Sequence, residues 1–305
     1  MIEFFNSLPV YTSALVSAFL WAISAPILNE GISRIPKTCK TSGLIVGLYA
    51  ALVTGTLFLL AIQPQPLELS NLNTYTSMAG IFTYLVGTGL YYASAHAFSG
   101  RTEYASQFAK IKPIFSVLLA LLVLNEVITS FSWISLSLII VAVLILAGGA
   151  ESGLFSWRAF SLGMLTALSW SIGEMFVKLG IEPDSALQGT FFAMVSATML
   201  LTPVAIAVAL KTPVLSYPRI WIIPFLIHGV LSFGIAYTAF FYSITYIGMA
   251  PTVLVNAFWP ALAMLFGCGV AVWRFGECNV HPSIWIAISL LLAGSFIQIL
   301  GLNIG

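Results

Sequence analysis

Residues 113–126 read Pro113-Ile-Phe-Ser-Val-Leu-Leu-Ala-Leu-Leu-Val-Leu-Asn-Glu126, and the next apolar run opens with Ser132-Trp133-Ile134. The same order of features returns in the second half of the chain, where Pro260 is followed by Glu277 and then by Ser283-Ile284-Trp285-Ile286. The second copy carries several more residues between its proline and its glutamate. An ordered set of features that occurs twice predicts a duplicated unit, and this sets the frame for the whole fold.

The composition is that of a membrane protein. Of the 305 residues, 60% are hydrophobic and 7% are charged, whereas a soluble domain carries about 25% charged residues. A formal net charge of +1 gives no indication of a nucleic-acid partner. The N-terminus carries Glu3 and no basic run before its first apolar stretch, which predicts a first helix that is retained rather than cleaved as a signal peptide.

Ten stretches are long and apolar enough to cross a bilayer, which takes roughly 20 residues. We therefore predict an all-α polytopic membrane protein with ten transmembrane helices, at residues 10–29, 43–63, 77–98, 104–124, 131–149, 159–180, 188–210, 219–245, 250–272 and 283–303. The connections are short and hold turn residues, as in Ile35-Pro36-Lys37 and Glu182-Pro183-Asp184. No soluble domain fits between these helices.

The first and sixth helices support the duplication. Trp21 and Gly31 recur as Trp170 and Gly180, at a constant shift of 149 residues. We predict two five-helix repeats, residues 1–150 and 151–305. Because five is odd, the second copy must enter the membrane from the opposite side. Such inverted repeats are tied to alternating-access transport, with the substrate site near the membrane midplane between the halves.

The proline-to-glutamate helix, the Ser-Trp-Ile helix after it and the duplicated half together resemble the drug/metabolite transporter superfamily, EamA type, across essentially the whole chain. The stretch Val255-Asn256-Ala257-Phe258-Trp259-Pro260 also resembles the ninth helix of the aromatic amino-acid exporters of that group. The resemblance implies a central cavity lined mainly by helices one, three, four, six, eight and nine. It implies movement of amino acids, metabolites, nucleotide conjugates or drugs, often by export or exchange.

Loop charges and family habit disagree on orientation. Basic residues in short loops favour the cytoplasm, and the loops after odd-numbered helices hold eight of them: Arg34, Lys37, Lys40, Arg101, Arg158, Lys211, Arg219 and Arg274. This bias places both termini outside, whereas bacterial members of the superfamily commonly have both termini inside. The expected location is the cell's inner (plasma) membrane in either case.

Two lysines lie within the predicted fourth helix, where a charge is costly unless it faces protein or a wet cavity. Ser106, Gln107, Lys110 and Pro113 follow helical spacing and form one polar stripe, so we aim Lys110 at the cavity and expect Lys112 to face elsewhere. An ammonium group there favours a substrate carboxylate or phosphate. The alternative is a helix that begins later, with both lysines extended to the headgroups.

Glu174, Asn256 and two prolines are further candidates. Glu174 precedes Lys178 by four residues, so it either forms an intrahelical pair or acts as a proton-coupling carboxylate or as a counter-ion for a substrate ammonium. Asn256 is either a cavity ligand or an interhelical hydrogen-bonding group. Pro113 and Pro260 each remove a helix hydrogen bond, which predicts a kink or an unwound point at the substrate site, or a feature of packing alone.

Aromatic side chains within the spans are candidates for the cavity wall, since they offer stacking surfaces and hydroxyl donors. Trp21 and Trp170 lie at equivalent mid-helix positions, and the alternative for both is helix-packing filler. The full set of aromatic candidates is Trp21, Trp170, Tyr84, Tyr91, Tyr92, Tyr237, Tyr242, Phe258 and Trp259, of which only some should line the cavity. For His96 and His228 we favour hydrogen-bonded packing over a role in the transport cycle.

Three motifs that the chain lacks remove the positive case for several enzyme functions without excluding them. The sequence holds no Gly-x-x-x-x-Gly-Lys-Ser/Thr loop, no His-Glu-x-x-His and no Gly-x-Ser-x-Gly, so we expect no enzyme, cofactor or metal. We predict a secondary active exporter or exchanger of a small amino acid-like, anionic or zwitterionic metabolite, with the bilayer and a proton or counter-substrate as further partners. A monomer or a homodimer is expected. The alternatives are an exporter of hydrophobic or amphipathic drugs, a channel, and a membrane enzyme or scaffold.

Overall fold

The computed structural model describes residues 9, 11–97, 109–148, 157–216, 219–276 and 282–304. Every regular element in these residues is helical, as the sequence predicts. We number the helices in chain order: α1 Tyr11–Arg34, α2 Lys40–Ala61, α3 Thr74–Gly80 with Ile81–Gly87 and Thr88–Ala97, α4 Lys112–Leu122, α5 Ser130–Gly148, α6 Trp157–Gly180, α7 Ala186–Lys211, α8 Ile223–His228 with Gly229–Ala236 and Tyr237–Ile247, α9 Met249–Asn256 with Trp259–Phe275, and α10 Pro282–Ile304.

Six helical segments in the described residues are long and apolar enough to cross a membrane: Tyr11–Arg34, Lys37–Ala61, Pro183–Lys211, Ile223–Ile247, Met249–Val270 and Pro282–Asn303. The segments Lys112–Leu122 and Ser130–Ile145 are apolar but shorter. The first helix continues to Arg34 instead of ending at residue 29, and residues 104–108 of the predicted fourth helix lie outside the described residues. The count of ten membrane spans stays a prediction.

Large apolar side chains cover the outside of the bundle. Leu57 is 59% exposed, Leu210 82% and Trp273 82%. Soluble monomers rarely expose contiguous apolar surface on this scale. These side chains therefore face lipid, while serine and threonine hydroxyls and several charged groups lie inside the bundle.

Equivalent helices of the two halves meet in antiparallel pairs. In the α2–α7 pair, the Thr56 hydroxyl lies 3.5 Å from that of Thr198, and Thr202 Oγ1 lies 3.4 Å from the Tyr49 hydroxyl, so one helix ascends where the other descends. In the α5–α10 pair, Gly294 packs beside Ser135 while the later Gly301 packs on the earlier Phe131. A helix and its counterpart in the other half thus point in opposite directions.

Several other helix contacts also come in matching pairs. α1 packs on α8 and α9, and its counterpart α6 packs on α3 and α4. α2 packs on α8, and its counterpart α7 packs on α3. Exchanging the two halves converts each contact into another observed contact, as an approximate two-fold axis between them requires.

α3 and α8 each contain a π-helical stretch at an equivalent position, Ile81–Gly87 and Gly229–Ala236. A glycine stands at the start of each stretch because a neighbouring backbone comes too close for a side chain. A β-carbon on Gly80 would overlap the carbonyl oxygen of Ala193 in α7, and one on Gly229 would overlap that of Ala51 in α2.

The two prolines stand where a helix restarts. Turns at Lys110–Ile111 and at Ala257–Phe258 precede α4 and the second part of α9, and Pro113 and Pro260 each occupy the second position of the stretch that follows. Proline is tolerated there because the first turn of a helix has no internal partner for its N–H groups.

Glu126 ties the end of α4 to the start of α9. Its carboxylate accepts hydrogen bonds from the backbone N–H groups of Met249, at 2.7 Å, and Ala250, at 3.0 Å. Gly248 begins this turn with φ of +95°, a conformation that disfavours other residues. A carboxylate at a helix N-terminus satisfies unpaired donors and interacts well with the helix dipole, so this contact fastens one end of the bundle.

Candidate functional site

A cavity lies between α1, α3, α4, α6, α8 and α9, the six helices that the family resemblance implies. The space between its wall atoms, including the mouth, is about 490 Å³. The wall consists of Trp21, Ser24, Ala25, Leu28, Thr88, Tyr91, Lys112, Trp170, His228, Ser232, Phe233, Tyr237 and Trp259.

Lys112 is the charged group of this wall, and its ammonium group forms an ion pair with a carboxylate that lies behind the wall. Its Nζ donates a hydrogen bond to Glu174 Oε1 over 2.6 Å, although the two residues lie on different helices. Glu174 is 2% exposed and does not reach the cavity. A buried ion pair is retained only where hydrogen bonds compensate the loss of water, so the surroundings of this pair matter.

A short chain of hydroxyls completes the carboxylate's hydrogen bonding. Ser116 donates to Glu174 Oε2 over 2.7 Å, and its oxygen lies 2.9 Å from that of Ser171. Ser171 in turn donates to the carbonyl oxygen of Ala167 over 2.9 Å. Both oxygens of Glu174 therefore have a partner, and the network links α4 to α6.

Aromatic rings hold the ammonium group from the other sides. The Nζ of Lys112 lies 5.5 Å from the ring centre of Trp21 and 4.7 Å from that of Phe240. Cation–π contacts of this kind contribute about 0.5–2 kcal/mol each, and more where water is excluded. Lys112 is thus fixed in place by one ion pair and two rings.

The structure assigns the two lysines the opposite places from those expected. Lys110 is buried away from the wall, with its Nζ 3.8 Å from the Met264 sulfur, while Lys112 lines the cavity. A turn at Lys110–Ile111 separates Lys110 from the helix that contains Pro113, and the other two members of the predicted polar stripe, Ser106 and Gln107, lie outside the described residues.

The expected intrahelical pair of Glu174 and Lys178 is not formed. Lys178 donates to the carbonyl oxygen of Thr245 at the end of α8 over 3.0 Å. Glu174 is turned toward α4 instead, because the ammonium group of Lys112 is available there inside the bundle.

Five of the aromatic candidates lie in the cavity wall: Trp21, Trp170, Tyr91, Tyr237 and Trp259. Trp21 packs edge-on against Tyr237 at 4.8 Å between ring centres, and Trp170 packs against Tyr91 at 5.4 Å. The pairs lie on opposite sides of the two-fold axis, since Trp21 belongs to α1 and Trp170 to α6. Flat rings on both sides suit a flat or apolar ligand.

The π-helical stretch of α3 anchors Trp170. Its indole N–H donates to the carbonyl oxygen of Thr83 over 3.1 Å, and Ser169 donates to that of Phe82 over 2.7 Å. A π-helical turn displaces carbonyl groups from the regular hydrogen-bond ladder and leaves them open to such donors. The local backbone of α3 therefore sets the angle of a cavity side chain on α6.

The other candidates are buried outside the wall. Asn256 donates to Ser17 Oγ over 2.8 Å and to the carbonyl oxygen of Ala14 over 3.1 Å, so it joins α9 to α1. Tyr84 packs edge-on against Tyr237 at 4.8 Å, and Tyr242 stacks on Tyr246 at 4.4 Å. Phe258 is buried at the turn within α9. Their substrate-binding roles stay predictions, and the structure brings none of these four to the cavity.

Sequence reasoning did not bring Ser24 and His228 to the cavity wall. Ser24 Oγ lies 2.7 Å from His228 Nδ1, and both side chains line the cavity together with Trp259. His228 was expected to be a packing residue, and its 204-residue separation from Ser24 hides the pair. His96 carries a side chain outside the described part of the structure.

The electrostatics of the wall are one-sided. Its charged group is cationic, and the wall residues include no aspartate or glutamate. Within the described ranges, no group of three or more histidine, cysteine, aspartate or glutamate side chains could hold a metal ion. The arrangement can bind an anionic group at Lys112 and an apolar body between the rings.

Comparisons with known proteins identify the family and the fold. A model described as the EamA-like transporter family matches residues 8–148 and again residues 157–300. The chain is 27% identical over 292 residues to "Uncharacterized transporter YoaV" of Bacillus subtilis, covering 92% of each chain. It is 23% identical over 239 residues to "Protein LicB" of Haemophilus influenzae, covering 76% of this chain and 80% of that one. A solved crystal structure at 16% identity shares the fold, with a TM-score of 0.65 over 96% of this chain and 97% of that one.

Proposed function

The chain belongs to the EamA-like transporter family, and from that premise we propose that it is a secondary active transporter of a small organic carboxylate. It is a multi-pass membrane protein whose relatives point to transport of small molecules rather than to an enzyme. The substrate binds in the cavity between the halves and crosses by alternating access.

The observation that carries the proposal is the ammonium group of Lys112 in the cavity wall. An ammonium group has three donors, and Glu174 takes one of them from behind. The remaining donors can serve a substrate carboxylate. Because the wall offers no acidic group to a substrate ammonium, a monoanion suits the site better than a zwitterion.

The aromatic wall favours a substrate with a flat apolar body. Trp21, Trp170 and Trp259 all line the cavity, and pockets that bind small organic molecules are lined mainly by such apolar and aromatic side chains. An aryl carboxylate would stack between the rings and extend its charge to Lys112. The hydroxyl and imidazole groups of Ser24 and His228 could bind a second polar group on the same molecule.

We also propose that the chain crosses the membrane ten times, in two inverted halves formed by residues 1–150 and 151–305. The antiparallel pairs α2–α7 and α5–α10 support this inversion. Two inverted halves can exchange conformations, so that states open to either side are near mirror images of similar energy. The direction of transport, exporter or exchanger, stays the expectation of the sequence.

The cavity lies toward one side of the bundle. Its residues Leu28, Tyr91 and His228 lie near the helix ends that join the loops after α1, α3 and α7. Those loops are the ones rich in basic residues, so we assign this state as open toward the cytoplasm. The Glu126–α9 contact fastens the opposite side.

A second candidate substrate class is an uncharged hydrophobic compound. The predominance of aromatic groups in the wall favours it, since such a compound needs no partner at Lys112. The two classes differ in one respect that can be measured: an aryl carboxylate depends on Lys112, and an uncharged aryl compound does not.

Counterflow in proteoliposomes tests the proposal. Vesicles loaded with unlabelled phenylpyruvate should accumulate labelled phenylpyruvate transiently, with saturation, and protein-free vesicles set the baseline. A channel would give flux without trans-stimulation. Absence of counterflow for every aryl carboxylate in a panel, with folded protein in the vesicles, would remove the proposed substrate class.

A further inference from the structure

We propose, on the basis of the proposed function, that Glu174 takes up one proton when a substrate carboxylate engages Lys112, so that the substrate and one proton cross the membrane together. The site would thus be a symport site for a carboxylate anion and a proton. Nothing in the family assignment specifies a coupling ion.

The first step is a competition for one ammonium group. With the cavity empty, Lys112 and Glu174 neutralise each other across 2.6 Å. A substrate carboxylate at Lys112 adds a second negative charge beside the first, in an interior where an uncompensated charge is costly. A proton on Glu174 removes the excess charge, and the complex of ammonium, substrate anion and carboxylic acid is neutral again.

The second step is that the hydrogen bonds around Glu174 fit both protonation states. When the carboxylate is ionised, Ser116 donates to its Oε2. When Oε2 carries the proton, it can donate to Ser116, which can then donate to Ser171 over the same 2.9 Å contact. Ser171 already donates to the Ala167 carbonyl oxygen and keeps that partner. Proton uptake therefore needs only hydroxyl rotation and leaves no polar atom unpaired.

The other groups around Glu174 do not supply a competing charge. From α8, Tyr237 lies close enough to interact with it electrostatically, and His228 faces the same cavity. The part of α9 that packs on α6, Met249–Asn256, contains no charged residue, and the described side chains of α3 contribute tyrosines but no charged group. On α6 itself, Lys178 is held by Thr245. Lys112 is thus the cation that sets the charge state of Glu174.

If the site must stay neutral, the number of protons transported depends on the net charge of the substrate. A monoanion needs a proton to keep the site neutral, whereas a zwitterion brings its own positive charge and needs none. Transport of a monoanion with one proton is electroneutral. Where the proton gradient points into the cell it drives uptake, in contrast to the export expected from the family resemblance.

The direct experiment measures both fluxes of the unaltered protein in proteoliposomes. Labelled phenylpyruvate enters vesicles that contain a pH-sensitive dye, and protein-free vesicles give the leak of the protonated acid through lipid. We expect one proton to enter with each substrate. By linkage, if one proton binds with each substrate, the apparent affinity should weaken about tenfold for each pH unit over the range in which the empty site carries no such proton. Saturable substrate flux without proton uptake would overturn the inference and leave the proposed function standing.

The variant Glu174→Gln separates coupling from transport. It should lose proton uptake, and the apparent affinity that it shows in counterflow should no longer change with pH. The matched control is Glu68→Gln, which alters an exposed carboxylate and should keep both fluxes. If Glu174→Gln retains the pH slope of the unaltered protein, the proton binds elsewhere. If that variant does not fold, the dye measurement on the unaltered protein still decides the question. If the unaltered protein shows no counterflow, the proposed function is refuted instead.

Discussion

Two helix–helix interfaces, which we call the α4–α6 seam and the α9–α1 seam, are related by the two-fold axis and differ in charge. In the α4–α6 seam, Lys112 and Ser116 face Glu174. With the two prolines and the two central tryptophans aligned, the equivalent positions in the α9–α1 seam are Trp259, Ala263 and Ala25. The cavity wall includes Lys112 on one side and Trp259 with Ala25 on the other.

The difference separates framework from function. Both seams have the same helix contacts, the same restart of a helix at a proline and the same tryptophan on the opposing helix. A second buried ion pair would add desolvation cost without a second binding group to justify it. One charged seam and one aromatic seam suit an asymmetric ligand with a carboxylate at one end and an apolar body at the other.

The largest expected effect comes from removing the charge of the first seam. Lys112→Met should lower the rate of aryl carboxylate counterflow at least about 100-fold. The reason is that the substrate carboxylate loses the ammonium group that binds it. The substitution should also destabilise the protein by roughly 3–5 kcal/mol, because Glu174 is left buried and unpaired. Counterflow and thermal unfolding measure the two effects.

The double variant Lys112→Met/Glu174→Gln controls for folding. With both charges removed, stability should recover most of the loss, while counterflow of carboxylates should stay absent. Normal carboxylate transport by a stably folded double variant would show that the charged seam is structural.

A smaller effect is expected from the shared framework, and it should be equal in the two halves. Gly80→Ala and Gly229→Ala each place a β-carbon against a neighbouring backbone carbonyl, in α7 and in α2 respectively. Each should destabilise the protein by about 1–3 kcal/mol, since the helices must separate. Unfolding measurements in detergent compare them. A marked destabilisation by one substitution with none by the other would break the symmetry that we assign to the framework.

Trp259→Ala makes the matching change in the aromatic seam. We expect the half-saturating concentration to rise about tenfold while transport persists, because a buried aromatic contact is worth about 1–2 kcal/mol. A concentration series of counterflow measures this change. A complete loss of transport with folded protein would mean that the two seams do not divide their tasks as proposed.

Ser24→Ala should have the smallest effect. It removes the hydrogen bond to His228 and leaves the carboxylate site untouched. We expect a change of about threefold or less for phenylpropionate and a larger one for phenyllactate, whose hydroxyl can use the pair, since a neutral hydrogen bond contributes about 1 kcal/mol. Competition by the two acids in counterflow provides the comparison. Equal shifts for both acids would assign Ser24 a purely structural role.

The sequence predicted the features that depend on local pattern. Helix periodicity, apolar run length and the repeated proline–glutamate order suffice for the helical fold, and five of the aromatic side chains named as candidates line the cavity, although their roles in binding stay predictions. The structure places Lys112 rather than Lys110 in the cavity wall, and the two-residue turn just before α4 is a feature that helical spacing alone does not predict. The partners of Glu174 and of Ser24 lie 62 and 204 residues away in sequence. Such contacts depend on how helices rotate and tilt against one another, which a single sequence does not encode locally.

The central claim, that the charged seam selects an anion, is tested most directly by varying one charge on one apolar body. 3-Phenylpropionate, 3-phenylpropanamide and 3-phenylpropylamine should be compared as competitors of labelled phenylpyruvate in counterflow. We predict that the carboxylate competes, that the amide competes at least about tenfold more weakly, and that the amine does not compete. Equal competition by all three, or preference for the amine, would contradict the assignment of Lys112 as the substrate's partner.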